Sequence, residues 1–183
     1  MSDLNQLILA FDHEQNFKNL DFYVSKSNAH VFELIKNWPK HNQNFLNIIG
    51  EKFSGKSHLV NIFLETNKGL KIISNKLDDN FLKKTRSYQN IILEDLTISI
   101  DEEKFYSLIN MIESEDKNLV VTSQISISDI NFKLPDLKSR AKKFNLTKIH
   151  NPDDDLIFAL ILKNLSDRQI SINKKLIDYI IKR

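Results

Sequence analysis

Cysteine is absent from this chain, which excludes disulfide frameworks, thiolate nucleophiles and cysteine-held zinc together. Glycine and proline occur three times each and tryptophan once, so each of these residues marks a definite point in the chain. No run approaches the ~18 uninterrupted apolar residues of a membrane span, and no membrane association is expected. The opening Met1-Ser-Asp-Leu-Asn-Gln6 has neither the basic nor the apolar segment of a signal peptide, so a cytoplasmic protein is expected. An excess of one charge is also missing. The 26 basic and 24 acidic residues leave +2, too even a balance to imply nucleic-acid binding, and direct DNA contact is expected to be weak or lacking.

What is present suits one generous domain with a small appendage: 183 residues, of which 41% are hydrophobic and 27% charged. Lys (22), Asn (20) and Ile (24) are over-used, a skew more simply read as AT-rich coding than as a basic surface. Lysine runs therefore carry little weight, and the four arginines, Arg86, Arg140, Arg168 and Arg183, carry more. The five histidines show no metal-ligand spacing.

Residues 1–18 read as a flexible tail with one short apolar run, Leu7-Ile-Leu9 and Phe11. Ser27-Asn28 is a candidate helix N-cap. Val31, Phe32, Leu34, Ile35 and Trp38 then form an apolar face of about three turns, closed by Pro39. Four buried strands are predicted at Phe45–Ile49, Leu70–Ser74, Asn90–Leu93 and Leu119–Thr122. Helices are predicted after the first, around Asp78–Thr85, and over Glu102–Ser114. This alternation predicts an α/β fold, a mostly parallel sheet flanked by helices. Beyond Asn151-Pro152, Leu156–Leu165 and Lys174–Ile181 predict a small all-helical piece.

Gly50-Glu-Lys-Phe-Ser54-Gly55-Lys56-Ser57 fits the phosphate-loop pattern G-x-x-x-x-G-K-[ST] in full, between a predicted strand and a predicted helix. Backbone N–H groups must wrap phosphate oxygens, which glycine permits, and the following helix N-terminus favours the negative charge. Lys56 would reach the β- and γ-phosphates and the Ser57 hydroxyl would ligate Mg²⁺. A chance match in a chain of this length is roughly a one-in-a-hundred event. Glu94-Asp95, at the end of the third strand, supplies the acids such a site needs; Glu94 is the candidate metal acid, acting through water, with Asp95 beside it in catalysis.

With these segments in order, the chain resembles the ATP-binding AAA+ domain of the DnaA family of bacterial replication initiators, and most of all its shorter Hda-like relatives. The resemblance rests on Asp21-Phe-Tyr-Val-Ser-Lys-Ser-Asn28, Gly50–Ser57 followed by His58-Leu59, Leu93-Glu94-Asp95, Val120-Val-Thr-Ser123 and Leu134-Pro-Asp-Leu-Lys-Ser-Arg140. It implies a P-loop NTPase domain over 19–149 with a partial helical lid over 150–183, binding ATP or ADP with Mg²⁺. The segment holding Tyr23 and Asn28 would lie against adenine and ribose, with His58 also at the nucleotide, and Arg140 would be an arginine finger toward a neighbouring subunit's nucleotide. The resemblance also gives the tail a meaning. Gln6-Leu7-Ile-Leu9-Ala-Phe11 is similar to peptides that dock on the DNA polymerase sliding clamp, its β subunit.

The chain departs from the family at four points. Glu94 stands where Asp is usual and Gln124 where a sensor acid often stands; a shortened lid without its sensor arginine is expected, and no DNA-binding helix-turn-helix domain is expected after it. The expected function is a clamp-tethered regulator, with DnaA as partner, that promotes hydrolysis of DnaA-bound ATP and has weak turnover of its own. The alternatives are an ATPase or helicase loader acting on DNA, or a nucleotide-binding remnant. Homo-oligomerisation stays open.

Overall fold

The computed structural model describes residues 22–39 and 43–168. The tail peptide and the second lid helix expected over Lys174–Ile181 lie outside them. Five strands form one sheet: β1 (Phe45–Ile49), β2 (Gly69–Ile73), β3 (Asn90–Leu96), β4 (Asn118–Ser123) and β5 (Asn145–Lys148). All pairings are parallel and the spatial order is β2-β3-β4-β1-β5. β4 thus separates the strand that feeds the phosphate loop from the strand that carries the acids.

Successive side chains on a strand point to opposite faces, and the sequence uses both. Leu46, Ile48, Ile92 and Val120 pack with Val31, Ile35 and Trp38, and with Leu59, Val60 and Phe63, on the face covered by α1 (Ala29–Lys36) and α2 (Lys56–Thr66). Phe45, Ile91, Leu93, Leu119 and Val121 meet the other cluster. There they are covered by α3 (Asp79–Thr85), α4 (Glu102–Ser114) and α5 (Pro135–Ala141). In α4, Phe105, Leu108, Ile109 and Ile112 recur at helical spacing and are fully buried. Each is worth about 1.5–3 kcal/mol of transfer free energy. The helix starts where the Lys104 N–H donates to Asp101, with Glu102 and Glu103 placed against the positive end of its dipole.

Three expectations need correcting. The first helix spans eight residues, not three turns. Asn28 does not cap it, because its side chain is drawn back to the preceding turn: its amide donates to the Tyr23 carbonyl (3.0 Å) and its carbonyl oxygen accepts from the Ser25 N–H (2.9 Å). Trp38 leaves the helix to pack on Phe63, ring centroids 5.6 Å apart. The third strand does not end at Leu93 but runs to Leu96, so the two acids lie inside it; its register with β4 shifts between Leu93 and Leu96. The fifth strand, β5, replaces an expected sheet of four. A sixth helix, α6 (Asp154–Asp167), begins the expected helical piece.

Candidate functional site

The phosphate loop leaves the carboxyl end of β1, crosses 50–55 and enters α2. Its course is fixed to both neighbouring strands: the Gly50 N–H donates to the Ser123 carbonyl (3.1 Å), and the Ile149 N–H donates to the Ile49 carbonyl (2.8 Å). Gly50 is glycine for space, because a β-carbon there would lie 2.5 Å from the Ser54 hydroxyl oxygen. Gly55 is glycine for conformation. It caps α2 at φ +93°, gives the helix no side-chain acceptor, and is followed by a first turn without an acidic residue. Such an N-terminus is prepared for an anion. Phe53 in the same loop also lies at positive φ (+66°) and is 90% exposed, as strained a backbone position as Asp95 near the end of β3.

A Gly55→Ala variant is expected to lose about 1–2 kcal/mol of stability, the cost of a β-carbon in left-handed backbone. The nearest atom to that carbon would be Phe22 Cε2 at 3.4 Å, an ordinary contact, so the loss would report conformation and not crowding. Urea denaturation of the two proteins measures it.

Lys56 is buried, and its ammonium donates to the carbonyl oxygens of Gly50 (2.8 Å) and Glu51 (2.7 Å). Burial lowers its pKa, against the opposing charges of Asp95 and Glu51. Ser57 follows in the first turn of α2, half-buried. The Ser54 hydroxyl is buried without a hydrogen-bond partner, an arrangement that calls for a ligand atom or water. These features fit a polyphosphate.

The two acids part company. Asp95 is exposed at φ +52°; its N–H donates to Thr122 Oγ1 (3.0 Å), and its carbonyl accepts from the Ser74 hydroxyl (2.6 Å). Glu94 is 6% exposed. One of its carboxylate oxygens lies 3.3 Å from the Lys71 ammonium of β2, and the other is buried with no partner among the described residues. A divalent cation held by Ser57 and, through water, by Glu94, as the sequence suggests, would have to share the carboxylate with Lys71, which is a poor fit. Among the described residues no group of three or more His, Asp or Glu side chains could hold a metal.

Beside the loop lies a cavity of about 230 Å³. Phe22, Tyr23 and Asn28 form one wall, Ser54, Gly55 and His58 the floor, and Ile149 to Pro152 with Leu156 and Leu160 of α6 the other wall. Phe22 stacks on Phe32 (5.6 Å) and meets His58 edge-on (5.1 Å). Asp153 joins the walls. Its carboxylate caps α6 by accepting from the Leu156 N–H (2.9 Å), and its other oxygen accepts from the Ser27 N–H (3.2 Å). Sequence reading placed Tyr23, Asn28 and His58 here, and all three line the cavity. Phe22 belongs to the segment placed there too; Asp153 and Leu156 were missed, although Asp153 three residues before Leu156 is a legible capping signal.

Arg140 is elsewhere. Its guanidinium is ion-paired with Glu113 of α4 and lies 5.1 Å from the centre of the Tyr106 ring. Glu113 in turn lines a second cavity, with Phe45 and Asn145, the first residues of β1 and β5. Arg140 is therefore at the amino edge of the sheet and the phosphate loop at the carboxyl edge. Gln124 is exposed just past β4. No helix among the described residues is long and apolar enough to cross a membrane.

No family model matches the sequence. No curated protein matches it either. The five-stranded parallel sheet flanked by helices matches the DnaA-like AAA+ P-loop α/β fold. The chain is similar to domain III of the Thermotoga maritima replication initiation protein DnaA (TM-score 0.72, 17% identity, 92% of this chain and 81% of that one). It is similar to AMPPCP-bound DnaA from Aquifex aeolicus (TM-score 0.70, 19% identity, 88% of this chain), of which it spans 58%. A putative primosome component from Streptococcus pyogenes is less similar (TM-score 0.55, 16% identity, 74% of this chain and 88% of that one). At these identities the fold is what is shared.

Proposed function

We propose that the chain binds an adenine nucleotide and acts in replication initiation as an Hda-like regulator that promotes hydrolysis of ATP held by DnaA. The observation that carries this reading is the full phosphate loop opening onto an aromatic-walled cavity, within a fold like that of DnaA domain III. The phosphates would lie along Gly50–Ser57 with Lys56 turned to them, and the base between the Tyr23–Asn28 segment and α6. Residues 19–149 would be the nucleotide-binding domain, and 150–183 a partial lid over the base. ADP suits the role of a structural ligand that orders a subunit interface, whether with DnaA or with a second copy.

Arg140 would act on the nucleotide of the neighbour. Its place at the edge of the sheet remote from its own loop supports a role in trans, and a guanidinium that stays charged can stabilise a transferring phosphoryl group. Before it reaches out, its pair with Glu113 must open. The tail would dock on the sliding clamp through Gln6, Leu7, Leu9 and Phe11 and bring the domain to DNA-loaded clamp, in the cytoplasm at the replisome.

The test is hydrolysis of DnaA-bound ATP, measured with the full chain, with and without clamp loaded on DNA. Acceleration is expected only when both are present. The Gln6→Ala, Leu9→Ala double variant is expected to fail in clamp pull-down and to lose the acceleration. A wild-type chain that ignores the clamp would remove the tethering model.

A further inference from the structure

The geometry points to Lys71 as a built-in counter-ion for Glu94, occupying the place of a divalent cation so that this chain takes up its nucleotide without needing magnesium. The inference deepens the nucleotide-binding reading and rests on it.

A carboxylate as buried as Glu94 must be compensated, because an unpaired charge out of water costs several kcal/mol. In a phosphate-loop site that compensation is the business of the metal with its waters. Here a lysine from the adjacent strand supplies it. β2 and β3 pair in parallel with Lys71 opposite Ile92, and Glu94 two residues beyond Ile92 on the same face, the face covered by α2. The Lys71 ammonium reaches Glu94 Oε2 at 3.3 Å and donates to Asn61 Oδ1 of α2 at 2.8 Å. Two acceptors from two different elements hold the ammonium, although the Lys71 side chain is 35% exposed.

The consequence is electrostatic. A divalent cation approaching Glu94 meets a carboxylate already paired and an ammonium of like sign a few ångströms away. The acid left with unneutralised charge is Asp95, and Asp95 is the group whose field, after the cost of burial, bears most on Lys56. The two acids thus divide the work: Glu94 is spent on Lys71, and Asp95 faces the phosphate lysine. Cation charge at the phosphates then comes from Lys56 and the α2 N-terminus. A nucleotide held in this way is retained and turned over poorly, which suits a structural ligand. The other oxygen of Glu94 has no partner among the described residues.

Calorimetric titration of ADP into the full chain, in millimolar Mg²⁺ and again in EDTA, is the experiment. For wild type the two affinities are expected to agree within about threefold. Lys71→Gln is expected to create a magnesium dependence of about tenfold or more, and Lys71→Arg to behave as wild type. Mn²⁺ titrated into the ADP-loaded wild-type protein and followed by electron paramagnetic resonance gives a second reading that needs no variant. Binding no tighter than to ADP alone is expected. A wild type that loses tenfold or more in affinity in EDTA, or that binds Mn²⁺ tightly, overturns the inference and leaves nucleotide binding intact. Wild type that takes up no ADP in either buffer overturns the phosphate-site reading and this inference with it.

Discussion

Arg140→Ala is expected to bind nucleotide and clamp as wild type does and to lose about 10³-fold of its stimulation of DnaA-bound ATP hydrolysis, the usual worth of an arginine finger. Arg140→Lys is expected to fail as well, since an ammonium lacks the planar fork that meets two phosphoryl oxygens at once. The loss has to be distinguished from damage to the fold, because the same guanidinium joins α5 to α4 through Glu113 and lies over Tyr106. That damage should be small. The Arg140 side chain is 23% exposed, and Glu113 keeps Lys143 as a partner at 2.5 Å, so no buried charge is stranded. A stability change of about 1 kcal/mol, a few degrees in Tm, covers the lost pair and the ring contact. Normal stimulation by the alanine variant would remove the finger assignment; a large drop in Tm would assign the residue to the fold instead.

Lys56→Ala is expected to weaken nucleotide binding by about a hundredfold or more, since a charge-assisted contact to phosphate in a buried site is worth about 1.5–3 kcal/mol and Lys56 would make more than one. Its titration provides a second reading. Burial lowers the Lys56 pKa in the folded chain below the ordinary 10.5. Between the lowered value and 10.5 the unfolded chain binds more protons than the folded one, so this group's contribution makes stability rise with pH across that window. A polyphosphate beside the ammonium reverses the balance. Binding should therefore take up protons in the same alkaline window, and the Ala variant should take up none. Calorimetry in buffers of different ionisation enthalpy measures the uptake. Steady ATP turnover by wild type, abolished in Lys56→Ala, would instead favour an ATPase that works on its own nucleotide.

The legible part of the site was the part written in consecutive residues. Gly50 to Ser57 carries its own chemistry, and the apolar runs on either side placed it between β1 and α2. The alternation of runs likewise gave four of five strands. β5 was missed because Asn-Leu-Thr-Lys at a sheet edge has one fully buried side chain, Thr147, and no apolar run. The three-turn first helix came from counting Trp38 into a helical stripe that it leaves to reach Phe63. What could not be read were pairings that need register. Lys71 and Glu94 are 23 positions apart and meet only because β2 lies parallel to β3 in one particular alignment. Glu113 and Arg140 meet only because α4 and α5 run side by side. Charges in a lysine-rich sequence offer too many partners for proximity along the chain to choose among them.

Asp153 ties the two walls of the cavity beside the phosphate loop with a single carboxylate. The Leu156 N–H, above all, holds its pKa below the ordinary carboxylate range. The tie is whole above the ordinary range and is lost only as pH falls through the lowered value. Its breadth is thereby decided at folding, before any guest arrives. A cleft preset in this way forfeits little freedom on capture and admits molecules by fit rather than by moulding itself around them. On the proposed reading it would act as a gauge that a flat purine passes and a bulkier guest does not.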